Sequence, residues 1–477
     1  MHPGYLPRFN IAIAGAAGVW GERCHAPAIN ELAAAGIPLR VVAIAELSDP
    51  LAIAAARGHS QVEQMIAVHR PTFVDARHGI SEALAQLDSV HATHHLDLLI
   101  VCTDPIAHFT YCSWAARNAV SFLCDKPIVV VENCSSQLAA ANEISTRFTI
   151  LLDLIRGARA RNNHFRAATL LRRRNLAPFA LAASAIASVY GATRAPVRSL
   201  NVAVSGGVHF TSDEYRSSGA HGFLDGCGSL SFSSYHYLDV IAWFLSLAPG
   251  AITTLLIECP YVCRVADCLA SGASGPLFQL LRVESGHDQA LPQNVAAAEL
   301  DFLIVMHLLD EALKPLGLVT YTFNRTSYTA RTIRPSPSVA NPGAHLKGGR
   351  MSQIVIDLHQ GPCQSIRLLK NDVALGQQAI RYERWVHPML SNPPYEELLF
   401  ADAYEAETTT PKRLVEEFIK MLAGVVTEAE AISLPVPIES QELTHRLYAA
   451  CYELLAQEAE DPSRNEGKRS HSRRVAL

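Results

Sequence analysis

The sequence predicts an α/β fold whose N-terminal third is a parallel sheet covered by helices on both faces. Three observations predict it. Short apolar runs of strand length recur from Phe9 onward, Ala-rich segments with helical spacing separate them, and the first run passes straight into a group of glycines. Strands buried on both faces read as continuous apolar runs, as these do, and not as alternating ones.

The elements follow in order. Phe9–Ala14 is the first strand. Arg40–Glu46 is the second, apolar with a polar end. Asp97–Cys102, Val120–Cys124 and Phe148–Leu154 read as further strands, with Ala107–Ala119 as a helical crossover. Beyond residue 156 the pattern changes. Arg159–Arg174 reads as a helix with its arginines on a solvated face, Gly219–Gly228 as a glycine-bearing loop and Ser229–Leu247 as a long helix. Thr253–Glu258, Gly317–Phe323 and Met351–Leu358 are strand-like, and Arg334–Gly349 is a loop rich in Pro, Gly and Ser. Pro411 stands where a helix can start and opens one to Leu422; another spans Ser440–Gln457. This organisation predicts one domain over residues 1–155, a second over 156–457, and a disordered tail over 458–477 with little to bury.

Composition narrows the function classes. The 477 residues are 49% hydrophobic and 18% charged, with a formal net charge of −5, which gives ample core and no reason to expect nucleic acid or a membrane surface as partner. The eleven cysteines form no Cys-x-x-Cys pair, and Cys259, Cys263 and Cys268 fit no common zinc spacing, so no metal is expected. The first residues lack a signal-like apolar run and Leu176–Tyr190 is short for a membrane span, so the expected compartment is the cytoplasm.

The glycines carry the first chemical signal. Gly15-Ala16-Ala17-Gly18-Val19-Trp20-Gly21 lies between a strand and a helix. Gly15 allows a tight turn, Gly18 clears space for a diphosphate, and Gly21 lets the helix pack closely, while amide N–H groups and the positive helix end face the phosphates. That is the dinucleotide site of a Rossmann domain. Pro27 falls inside the following helix and predicts a short or bent one. Glu46, ending the second strand, is placed to accept hydrogen bonds from ribose hydroxyls and to repel a 2′-phosphate, which favours NAD; Arg40 and Arg57 keep NADP open.

Asp97-Leu-Leu-Ile-Val-Cys-Thr-Asp-Pro-Ile-Ala-His108, followed by Val120-Ser-Phe-Leu-Cys-Asp-Lys-Pro127, resembles the Gfo/Idh/MocA family of glucose–fructose oxidoreductases and inositol dehydrogenases. Thr103, Asp104 and Pro105 match the family's turn, His108 its helix-opening histidine, and Asp125-Lys126-Pro127 its Glu-Lys-Pro. Asp225-Gly226-Cys227-Gly228-Ser229-Leu230 and His236-Tyr237-Leu238-Asp239 match a later segment, but Phe232 stands where many of the dehydrogenases carry aspartate. Residues 255–400 match poorly.

The resemblance implies a Rossmann domain followed by an α/β domain on an open, mostly antiparallel sheet, with self-association into a homo-oligomer. It implies an oxidoreductase that moves a hydride to or from a small substrate such as a sugar or cyclitol. Lys126 would bind the substrate oxygen and His236 would take its proton. A cis peptide is expected before Pro127. His221, Asp225, Tyr235 and Asp239 are the tentative substrate residues, with Tyr237 able to orient a polyol or simply pack. On an α-helix, positions 232, 236 and 239 share a face. The other reading is a non-catalytic dinucleotide-binding regulator or scaffold, favoured by Phe232.

Overall fold

In the computed structural model the structure describes all residues except 1–7, 218–221, 273–275, 277–289, 328–351, 372–378, 402 and 461–470. The Pro/Gly/Ser-rich loop at 334–349 and His221 therefore lie outside the described residues. The chain divides into two compact units, each assembled from three segments.

The first unit comprises residues 1–130, 146–176 and 405–441. Its strands are β1 (Phe9–Ala14), β2 (Leu39–Glu46), β3 (Thr72–Asp75), β4 (Leu98–Val101), β5 (Ser121–Cys124) and β6 (Ala167–Thr169), with β15 (Val436–Pro437) added late in the chain. They form one sheet in the order β15-β6-β5-β4-β1-β2-β3, parallel except for β15 against β6. Helical crossovers such as Pro105–Arg117 connect the strands, as parallel pairing requires. The order reverses between β1 and β4, so a crevice opens outside their carboxyl ends, where α/β sheets of this kind bind ligands.

Several expectations change here. Phe148–Leu154 is not a strand; it lies within the helix Leu138–Arg161, and the sixth parallel position is taken by the three-residue β6. Arg159–Arg174 is not one solvated helix: it crosses a helix end, β6 and a tight 3-10 turn, Arg172–Asn175, with Arg173 buried. Pro411 lies inside the helix Ala403–Leu422 and does not open it. That helix places Leu414, Val415, Phe418 and Ile419 in the same apolar core as Ile11, Ile13 and Ile29.

The second unit comprises residues 131–145, 177–404 and 442–477. Its sheet joins β7 (Ser199–Ser205), β8 (Thr254–Arg264), β9 (Glu299–Leu309), β10 (Pro315–Asn324), β11 (Gln353–Gln360), β12 (Gln364–Lys370), β13 (Ile380–Val386), β14 (Tyr395–Phe400) and β16 (Ser472–Ala476). The order is β14-β13-β12-β11-β7-β10-β9-β8-β16, antiparallel except for β7 beside β10. β16 corrects the expected disordered tail: its residues pair antiparallel with β8, and Val475 is buried. Among the described residues no helix is long and apolar enough to cross a membrane.

Candidate functional site

The turn after β1 is tied to its neighbours by backbone. Gly15 has φ +88°, and a Cβ there would lie 2.6 Å from the Cys102 carbonyl and the Thr103 nitrogen, so the loop after β4 touches it directly. A Cβ at Gly21 would lie 1.7 Å from the Ala16 carbonyl oxygen. Gly21 thus packs against the loop itself, where the sequence reading has it against the sheet. A π-helical turn, Gly21–His25, precedes the α-helix Ala26–Ala34. Pro27 falls in the first turn of that α-helix, directly after the π-helical turn, and the wide turn is the distortion expected near it. Val19 and Trp20 stand exposed just before the π-helical turn, where the Gly18 and Glu22 N–H groups are bonded to the Gly15 and Gly18 carbonyls. A backbone cradle of this form fits a dinucleotide diphosphate.

Glu46 is half-buried at the end of β2. Its Oε1 accepts from the Ala17 N–H at 2.8 Å, so the carboxylate braces the glycine loop. Burial raises its pKa, and the bonds from Ala17 and Leu47 and the Arg57 charge oppose that rise. Arg57 Nη1 and His59 Nδ1 meet the carbonyl of the same residue, Ala17, at 3.2 and 3.1 Å.

Asp104 caps the helix Pro105–Arg117 by accepting from the Ile106 N–H at 3.3 Å, with Pro105 in the first turn. His108 is buried, its Nδ1 2.8 Å from the Pro127 carbonyl and its Nε2 3.1 Å from the Thr103 carbonyl. Burial lowers its pKa, and the Pro127 and Thr103 carbonyls and the Asp125 charge oppose that fall. The ring braces the turn after β4 against the turn after β5. The Lys126–Pro127 peptide is cis, as expected.

Asp125 and Lys126 follow β5 directly. Asp125 lies 3.5 Å from His25 Nε2. Lys126 is half-buried, and its pKa falls to about 7: burial comes first, then the guanidiniums of Arg172 and Arg173, with Asp125 opposing. Sequence reasoning missed both arginines, because a run of three reads as a solvated face; the available signal was their place just after an apolar run. Arg172 also lies over the Trp20 ring, 5.8 Å from its centre.

In the second unit, a π-helical turn, Leu230–Ser234, leads into the helix Tyr235–Leu247. Phe232 sits in that wide turn, so the regular face expected for 232, 236 and 239 is not that of an α-helix. Phe232 and His236 are half-buried, whereas Asp239 is fully buried and accepts from Thr444 Oγ1 at 3.0 Å. Tyr235 is buried too, its hydroxyl 3.0 Å from His445 Nε2, and Tyr237 is buried. Tyr235 and Asp239 therefore use their polar atoms inside the unit and face no open surface from which to meet a substrate. Asp225 is half-buried, and its carbonyl accepts from the Asn133 N–H at 2.7 Å.

A further residue emerges at Glu299. It is fully buried, binding Ser135 Oγ at 2.5 Å, the Leu230 N–H at 2.9 Å and the Tyr452 hydroxyl at 3.1 Å. It anchors the start of the turn that carries Phe232 toward His236. Its signal was an acid heading an apolar strand.

Residues 9–151 match the family model described as oxidoreductase family, NAD-binding Rossmann fold. No curated protein matches the chain. Solved structures do. An Agrobacterium radiobacter oxidoreductase, crystallised with NAD+, L-tartaric acid and magnesium, is 13% identical with TM-score 0.53, covering 98% of each chain. The Chromobacterium violaceum WlbA dehydrogenase, in complex with NADH and UDP-GlcNAcA, is 13% identical with TM-score 0.53, covering 98% of this chain and 96% of that one. The Kluyveromyces lactis transcriptional regulator Gal80p is 12% identical with TM-score 0.55, covering 95% and 90%. At such identities the likeness is one of fold. Residues 9–151 are thus similar to the NAD-binding Rossmann domain of the Gfo/Idh/MocA oxidoreductases.

Proposed function

We propose that the protein is an NAD-dependent oxidoreductase acting on a hydroxyl or carbonyl carbon of a small sugar, cyclitol or related polyol. The observation that carries this reading is that the glycine turn after β1, pressed through Gly15 on the loop after β4, and the cis Lys126–Pro127 turn after β5 follow strands of one parallel sheet. The nicotinamide, when bound, accepts or donates the hydride. Lys126, with a pKa of about 7, holds the substrate oxygen and takes or returns its proton near neutral pH. His236 is the second proposed proton carrier. Gly15 to Gly21 seat the diphosphate, Glu46 orients the turn and receives the ribose, and the Asp104–His108 segment fixes the strand ends around them.

Calorimetric titration with NAD and NADP, followed by absorbance of reduced cofactor across a sugar and polyol panel, tests the proposal. Saturable NAD binding and turnover lost in Lys126→Ala are expected. Gly15→Ala, which drives a Cβ into the Cys102–Thr103 backbone, is expected to abolish NAD binding. No heat with either nucleotide would end the reading.

Phe232, apolar where an acid is expected, favours a second reading, a dinucleotide-binding regulator. Tight NAD binding with no turnover on any substrate would select it. Self-association is proposed through the second sheet, where β7 alternates buried with half-exposed residues; light scattering tests it.

A further inference from the structure

The π-helical turn after the glycines carries a histidine inward. Within Gly21–His25 the buried residues are Gly21, Cys24 and His25, while Arg23 is exposed. Wide turns of this kind recur where a helix must re-aim a side chain for function. His25 is 1% exposed, and among the described residues neither of its ring nitrogens makes a hydrogen bond. A buried polar group without a partner costs free energy, so its presence calls for a use. Its Nε2 lies 3.5 Å from Asp125 Oδ1, just beyond the length of a made bond.

We propose that His25 is a positioning residue for the dinucleotide: its Nε2–H closes onto Asp125 when NAD binds, and the carboxylate so held receives a hydroxyl from the nicotinamide half of the cofactor. This rests on the NAD-dependent reading above and adds a residue to it.

Topology sets the pair across the crevice. In the sheet β4 stands between β1, which leads to His25, and β5, which leads to Asp125. Ala14, Val101 and Cys124 end the three strands in register. The Asp125 N–H donates to the Val101 carbonyl at 2.9 Å, which seats that residue at the end of β4, and His25 meets it from the β1 side. The contact therefore bridges the strand ends where the order reverses. The Asp125 side chain is 16% exposed and the imidazole is shut off from water, so the ring lies behind the carboxylate and the carboxylate meets the ligand. Glu46 is on the opposite flank of the glycine turn, at the end of β2. A dinucleotide with its diphosphate on that turn and its adenosine ribose at Glu46 carries its second ribose toward β4 and β5. A carboxylate that accepts from the cofactor on one oxygen and from His25 on the other is fixed from both sides. Water leaving the filled crevice strengthens both bonds, and a contact that is long in the empty protein tightens.

Full-length wild type and variants are titrated calorimetrically with NAD and with ADP, which carries the diphosphate but ends before the second ribose. His25→Leu is expected to weaken NAD about tenfold and ADP by less than about twofold. His25→Gln, whose amide N–H stands near the place of Nε2, should keep NAD within about threefold of wild type, and His25→Asn, too short to reach Asp125, should lose about tenfold. In an Asp125→Ala background, His25→Leu should cost less than about twofold more, because its partner is already gone. Should His25→Leu fail to fold, the comparison of Gln with Asn carries the test. Any of four results overturns the proposal: His25→Leu binding NAD like wild type, NAD and ADP weakened equally, equal affinities in the Gln and Asn variants, or the same loss from His25→Leu with and without the Asp125 carboxylate. Equal weakening of NAD and ADP assigns His25 to the shape of the glycine turn alone. A wild type that binds no NAD shows itself in the first titration and ends the oxidoreductase reading, and this proposal with it.

Discussion

At the scale of the residue, Lys126 makes a signed prediction. Its pKa drops from 10.5 to about 7, through burial first and the two guanidiniums second. Between those values the folded protein has released a proton that the unfolded chain still holds. Stability attributable to this group therefore rises with pH across that window, and below it the buried charge is a standing cost. Lys126→Met should flatten the slope, measured as urea unfolding at several pH values; an unchanged slope would refute the assignment. His445 makes the acid counterpart. Burial lowers its pKa from 6.5 to about 3, so the unfolded chain takes up a proton first as pH falls. The wild type should lose up to about 1.4 kcal/mol per pH unit between these values, and His445→Asn should lose less, read from acid unfolding curves. Residues of this kind differ in how legible they are. Lys126 was visible because an acid-Lys-Pro triplet ending a strand is distinctive. Arg173 was not, because burial of a charge depends on how sharply the chain turns, which three consecutive arginines do not reveal.

At the scale of the element, apolar period and glycine placement identified β1, β2, β4 and β5 to within a residue or two. Phe148–Leu154 failed for a physical reason. Its β-branched and aromatic residues favour a strand locally, yet the segment continues a helix begun at Leu138, with Ile150 exposed and Phe148 and Leu151 facing the core. The true strand, β6, has three residues and no period to detect. The π-turns at Gly21–His25 and Leu230–Ser234 were equally invisible, since one extra residue per turn leaves no compositional mark. The second turn depends on Glu299. Glu299→Ala should strand the Ser135 hydroxyl, the Leu230 N–H and the Tyr452 hydroxyl without their acceptor, at about 2–3 kcal/mol or more, measured by denaturant unfolding. A loss below about half a kcal/mol would show that the network re-forms without the acid.

At the scale of the whole molecule, the sequence reading drew one cut near residue 155, whereas the chain leaves the first unit and returns to it at 405–441. An amphipathic helix announces an apolar face but not whose core it will enter. The Ala403–Leu422 helix supplies Leu414 and Phe418 to the first unit's core, a fact only tertiary packing decides. The same holds for β16. Ser472–Ala476 is rich in charge and short, so composition argued for disorder; pairing with β8, burial of Val475 and the 2.9 Å ion pair from Arg473 to Glu453 outweigh it. β8 is an eleven-residue strand, and β16 covers its outer edge along Thr254–Glu258. Removing residues 471–477 leaves that edge with unsatisfied N–H and C=O groups, an open template for another strand. The truncated protein should unfold at lower denaturant and associate in a concentration-dependent way, seen by sedimentation. A truncation that keeps both the midpoint and the sedimentation profile of the full chain would show that β16 is an ornament on the sheet and that β8 protects its own edge through Pro260 and the register break beyond Glu258.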